Sequence, residues 1–149
     1  MSLLTNPFAL GATISLAIQF IILFLLIRGY YLKKQLKFRQ HGLSMAAAVF
    51  LHLAVIFSLM VPAFVGAIVP RFVIPKVSGL VSVVSLVHVA AGVTAASLGV
   101  WLVVSWRFGN VQNCFKRKKF MLWTLTVWSV AIIFGTILYL ILYWAVLMG

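Results

Sequence analysis

Apolar positions along this chain fall into four long, nearly unbroken blocks, approximately Phe8–Ile27, Leu43–Val69, Val77–Trp106 and Phe120–Met148. Each reaches or exceeds the roughly 20 residues that cross a bilayer as a helix. Inside lipid the backbone must satisfy its own hydrogen bonds, so segments of this kind are helices. The alternating pattern of membrane β-barrel strands is nowhere visible. The pattern therefore predicts an all-α fold: an integral membrane four-helix transmembrane bundle with short loops, filling residues 1–149 as a single transmembrane domain. Asn6-Pro7 reads as the start of the first helix, a capping side chain followed by proline in the first turn. No basic residue precedes that block and Arg28 follows it, where a cleaved signal would end in a small-residue site, so the block reads as a permanent helix. Pro62 is expected to kink the second helix toward its outer end, and Pro70 and Pro75 to bound a short loop after it.

Composition strengthens this reading and adds an orientation. Apolar residues make up 65% of the chain, charged residues 8%, and Asp and Glu are absent. A soluble domain carries about a quarter charged residues, so most of this surface must face lipid or other protein. The cations are unevenly shared. Arg28, Lys33, Lys34, Lys37 and Arg39 lie between the first two blocks, and Arg107, Lys116, Arg117, Lys118 and Lys119 between the last two; the middle connection has only Arg71 and Lys76. The positive-inside rule then sets the two basic loops in the cytoplasm and both termini outside, in the cytoplasmic membrane of the cell.

The first basic stretch alternates with Tyr30, Tyr31, Leu32, Leu36 and Phe38, so it either extends the first helix or lies along the membrane surface. A net charge of +12 with no internal counter-charge must meet phospholipid headgroups, water, or carboxylates on other subunits. Lys33, Lys34, Lys37, Arg39, Lys116, Arg117, Lys118 and Lys119 are the expected contacts with anionic lipid or a partner. Nucleic-acid binding has no soluble, groove-fitting surface to act through.

The missing carboxylates also remove whole classes of chemistry. No Asp/Glu proton relay, no carboxylate-bound Mg²⁺ or Ca²⁺ site and no Ser-His-Asp arrangement is available. Phosphate-binding and dinucleotide-binding glycine loops are absent as well. The single cysteine, Cys114, falls in the second basic loop and reads as a free thiol.

What remains is histidine. Ionisable groups in membrane helices are costly and usually face the bundle interior. His41 opens the second helix, and His52 lies nearly three turns later on the same face, with Met45 and Ala48 between them. His88 lies inside the third helix on a face of small residues: Ser85, Gly92, Ala95 and Gly99. Such a face admits close packing of another helix, and it also clears space for a flat cofactor. His52 and His88 sit at similar depth on adjacent antiparallel helices. They form a candidate axial pair for a b-type haem, against the plainer reading that each hydrogen-bonds a neighbouring helix. A copper or other metal site using His41, Met45 and His52 is a weaker alternative, because the two histidines are about 16 Å apart along one helix. No cofactor is required by the sequence. Trp123, Trp128, Tyr139, Tyr143 and Trp144 in the fourth block read as interfacial anchors near the ends and as packing groups nearer the middle.

Three stretches carry a resemblance to a known family. They are the basic run leading into His41-Gly-Leu-Ser-Met45, then Ser85-Leu-Val-His88-Val-Ala90, and Lys118-Lys-Phe-Met-Leu-Trp123-Thr-Leu125 with the hydrophobic Gly135–Tyr139 segment. Over most of the chain from Tyr30 onward it resembles the small membrane proteins grouped as domain of unknown function 420. The sequence departs from that pattern at Arg117, where a histidine is expected, and His52 has no counterpart in it.

Some members of that family are implicated in making haem-copper terminal oxidases. With the charge excess and minimal loops, the resemblance implies a non-catalytic accessory subunit or assembly factor of a respiratory membrane complex, an oxidase, that works by helix packing against larger subunits. The alternative expectation is a b-type cytochrome subunit carrying haem between His52 and His88.

Overall fold

The computed structural model describes residues 7–106 and 117–148, with side chains as far as Tyr143. Four helices account for almost all of them: α1 (Pro7–Lys34), α2 (Phe38–Val73), α3 (Leu80–Trp106) and α4 (Lys118–Met148). All four are long and apolar enough to cross a bilayer, and no strand occurs among the described residues. Pro7 stands at the first position of α1, where its missing N–H costs nothing. Arg107, Cys114 and Lys116 lie outside the described residues, as does the Trp144 side chain.

The boundaries differ from the apolar blocks in instructive ways. The basic stretch is helical on both sides of a turn at Gln35–Lys37, so α1 runs past Ile27 to Lys34 and α2 begins before Leu43. Lys and Arg are good helix formers, and their stems lie along apolar surface while the heads reach water. The turn closes with Lys37 N–H on the Leu32 carbonyl and Leu36 N–H on the Lys33 carbonyl, both at 3.0 Å. This is the Schellman ending, with Leu36 at φ 61° in the left-handed position that glycine usually takes. At the other end of the bundle, the Ser82 hydroxyl lies 2.8 Å from both the Phe72 and Lys76 carbonyls and ties the α2–α3 turn.

α2 does not end at Pro70, contrary to the expected loop boundary. After an α-helical portion, Phe38–Val55, it carries two π-helical segments, Ile56–Met60 and Phe64–Val73, joined by Val61–Ala63. Proline removes one ladder hydrogen bond and clashes with the carbonyl one α-turn back. The wider π register relieves that clash, and the helix passes Pro62 and Pro70 by unwinding rather than stopping. The Ile74 N–H to Val69 carbonyl bond at 3.0 Å is the last turn of that register.

The bundle is apolar outside and partly polar inside. Phe24, Phe50, Phe57 and Val104 are more than 60% exposed, whereas Ser15, Gln19, His41, Ser44, His52, Ser82, Ser85 and Thr124 are buried. Lipid exerts no hydrophobic squeeze on such helices, so close van der Waals packing and interhelical hydrogen bonds hold them. The packed centre consists of Ile22, Leu26, Ala48, Val49, Ala95, Trp128 and Ile132, drawn from all four helices. The broadest interfaces are α1 with α2 and α3 with α4. Small residues make them close: the Trp106 indole lies where a side chain on Gly42 would be.

Candidate functional site

Beyond the packed centre the helices part around a cavity of about 500 Å³, lined by all four of them. α1 contributes its face from Pro7 to Gln19, and α2 contributes His52 and much of its π-helical portion. The α3 wall includes Ser85, His88 and Gly92, and the α4 wall runs from Ala131 to Tyr143. The lining is almost wholly apolar, so the few polar groups decide what the cavity can hold.

His88 reaches across to α4. Its Nδ1 lies 2.8 Å from the Ala131 carbonyl oxygen. A carbonyl only accepts, so Nδ1 carries the proton and Nε2 of the neutral ring keeps its lone pair. The ring rests on Gly135, where a Cβ would come within 2.8 Å of Cε1 and 3.0 Å of Nδ1. Any larger residue at 135 would displace the imidazole.

His52 is only 2% exposed. Its ring stands 4.6 Å from that of Trp128 at an interplanar angle of 48°. Its Nδ1 is 3.3 Å from the Gln19 side-chain nitrogen. The Gly92 carbonyl and the His88 ring are the other polar groups that bear on it, but Nε2 is buried with no hydrogen-bond partner. The Trp128 indole N–H is buried without one too. A Cβ on Gly92 would meet no heavy atom within 4 Å, so the wall beside the two imidazoles is open space.

The hydroxyls around the cavity have already donated their hydrogens. Ser85 and Ser58 donate to the Val81 and Ala54 carbonyls, each at 2.6 Å. Thr13 donates to the Ala9 carbonyl at 2.8 Å, so the Tyr139 hydroxyl 2.9 Å away donates to Thr13. These groups therefore turn lone pairs toward the cavity, with no carboxylate anywhere in the chain. Chemically, this complements a ligand that is apolar around its rim and has an electron-accepting centre or hydrogen-bond donors.

Of the residues singled out in the sequence, His52 and His88 thus line one cavity. His41 and Met45 lie elsewhere, toward the α1–α2 turn. The His41 Nδ1 is 2.8 Å from the Gly29 carbonyl, and the Met45 thioether packs against the same glycine. No group of three or more His, Cys, Asp or Glu gathers among the described residues.

The basic residues sit around that same end. Lys33 Nζ lies 3.5 Å from the Met121 sulfur, and Lys34 stands 4.8 Å over the Tyr30 ring. The Arg117 guanidinium stacks 4.7 Å over Trp101. Lys37, Arg39, Lys118 and Lys119 are exposed.

Sequence reasoning missed Gln19, Trp128 as a partner of His52, and Gly135 as the seat of His88. Gln19 had a readable signal, since it is the one amide side chain within the first apolar block. The chain matches no protein-family model, no curated protein and no solved structure.

Proposed function

We propose that this chain is a small accessory subunit or assembly factor of a respiratory membrane complex, of the haem-copper terminal oxidase kind. In this reading its working part is the intramembrane cavity, which takes a b-type haem between His52 and His88. One observation carries the proposal: two imidazoles from facing helices line one apolar cavity, each with Nδ1 engaged by protein and no protein hydrogen bond at Nε2. A ring nitrogen held by a backbone carbonyl or amide, with the other left to a metal, is the usual arrangement of a histidine ligand. Two neutral nitrogen donors suit haem iron, and the cavity volume is within the range of cofactor sites. Bound haem would supply reversible one-electron chemistry, and the chain itself supplies no catalytic group.

The wider role rests on charge, exposure and resemblance. A chain with twelve cations and no acidic residue meets its counter-charges outside itself, on anionic headgroups or on larger subunits. Its apolar outer faces give those subunits surface to pack on, and the resemblance to domain of unknown function 420 points to oxidases. Both termini lie outside and the basic turns in the cytoplasm, following the positive-inside rule.

The test is a reduced-minus-oxidised absorption spectrum of the purified chain, with its haem extracted and quantified. The expected result is a b-type signal near one haem per chain, lost in His52→Ala and in His88→Ala. Gly92→Phe, whose ring would enter open space, is expected to abolish binding while the helices stay folded. A wild-type chain free of haem would overturn the cofactor reading. Gentle extraction from native membranes is expected to recover the chain with larger oxidase-type subunits, and recovery as a free monomer would oppose the accessory role.

A further inference from the structure

We infer that Gln19 is a positioning residue that sets which nitrogen of His52 faces the cavity as a lone pair, and so gates that histidine as a ligand. The inference rests on the haem reading of the cavity. Its physical basis is a conflict within the site. The Gln19 side-chain nitrogen is 3.3 Å from His52 Nδ1, and an amide nitrogen only donates. Nδ1 must then accept, and the neutral ring carries its proton on Nε2. That places an N–H at an atom that is fully buried and has no acceptor, a costly state for a donor.

Half a turn of the Gln19 amide, with every heavy atom near its present position, reverses these roles. The amide oxygen then accepts from Nδ1–H, and Nε2 becomes a bare lone pair beside the open space at Gly92. One proton leaves Nε2 and one is taken up at Nδ1, with water as carrier, so neither net charge nor proton count changes. The site thus has a closed tautomer and a ligating tautomer, and a metal-bearing ligand favours the second.

His88 has no such freedom. Its Nδ1 faces a carbonyl, which accepts in only one way, so its Nε2 lone pair is permanent. One imidazole is fixed as a ligand and the other is switchable. Gln19 is itself only 5% exposed and leaves His52 no solvent route to a different partner.

The experiment uses the full chain in lipid nanodiscs with ¹⁵N-labelled histidine and the variant Gln19→Met, which keeps the side-chain volume without hydrogen bonding. Ligand-free wild type is expected to show His52 protonated at Nε2, and addition of a diamagnetic gallium protoporphyrin to move that proton to Nδ1. Gln19→Met is expected to fold with an unchanged thermal midpoint, to give mixed His52 tautomers, and to bind haem about 10- to 100-fold more weakly. Its haem midpoint potential is also expected to shift, which loss of packing alone would not cause. Wild-type affinity and potential in Gln19→Met, or His52 tautomers identical in the two chains, would overturn the inference. Absence of haem binding in wild type would instead sink the haem reading, and the ligand-free ¹⁵N spectra would still decide the role of Gln19.

Discussion

Two glycines at equivalent-looking positions in apolar helices make opposite demands. At Gly42 the Trp106 indole occupies the space a Cβ would need, and Trp106 is itself buried. Gly42→Ala must push that ring aside, and overpacking of this kind costs roughly 1–3 kcal/mol. At Gly92 nothing stands within 4 Å of a Cβ. There Gly92→Ala adds a better helix former to a helix interior, a gain of about 0.5–1 kcal/mol. Thermal unfolding in detergent followed by circular dichroism checks both: the midpoint falls for Gly42→Ala and holds or rises for Gly92→Ala. A fall at Gly92 would mean that the cavity wall is closed by packing, and the ligand reading would lose its space. The same scale explains what was legible of the site. His52 and His88 stood out because an imidazole within an apolar block has few harmless explanations. Gln19 did not stand out, since an amide becomes informative only once its partner across the bundle is known.

At the scale of elements, four helices could be read directly because bilayer thickness fixes their length and composition. Their ends could not, since Lys33 and Lys34 continue α1 as readily as they would leave it. The π-helical portion of α2 was also hidden. Pro62 and Pro70 announced a disturbance, but whether a helix kinks, stops or unwinds there depends on what its neighbours leave room for. That portion matters because it walls the cavity: Leu59, Ala63, Phe64 and Ile68 all line it. Removing one residue from a π turn restores the α register, and each residue of an α-helix turns by about 100°. Phe57 is a suitable residue to remove, being 70% exposed and absent from the cavity lining. Its deletion is expected to rotate everything beyond it, carry those four side chains off the wall, and lower bound haem while helix content is kept. Helix content comes from circular dichroism and haem from extraction. Full haem occupancy in the deletion would show that the outer half of α2 contributes nothing to the site.

For the whole molecule the controlling fact is that polarity is turned inside out while charge is gathered at one end. Polar side chains such as Ser44, His52 and Ser85 find partners or cavity inside. Large apolar ones face outward along every helix. Lys33, Lys34, Lys37, Arg39, Arg117, Lys118 and Lys119 all belong to the end that carries the α1–α2 turn and the start of α4, whereas Arg71 and Lys76 are the cations at the opposite end. An asymmetry of this size should orient the bundle by itself, because each basic residue near an anionic leaflet contributes about 1 kcal/mol. In a Cys114→Ser background, Lys34→Cys and Lys76→Cys give each end of the bundle one thiol. A membrane-impermeant maleimide added to intact cells is expected to label Lys76→Cys and to reach Lys34→Cys only after the membrane is opened. The opposite pattern would reverse the topology and put the α2–α3 turn, with the wider end of the haem cavity, on the cytoplasmic side. Labelling of both in intact cells would mean that charge does not fix the orientation. A partner subunit would then have to do so.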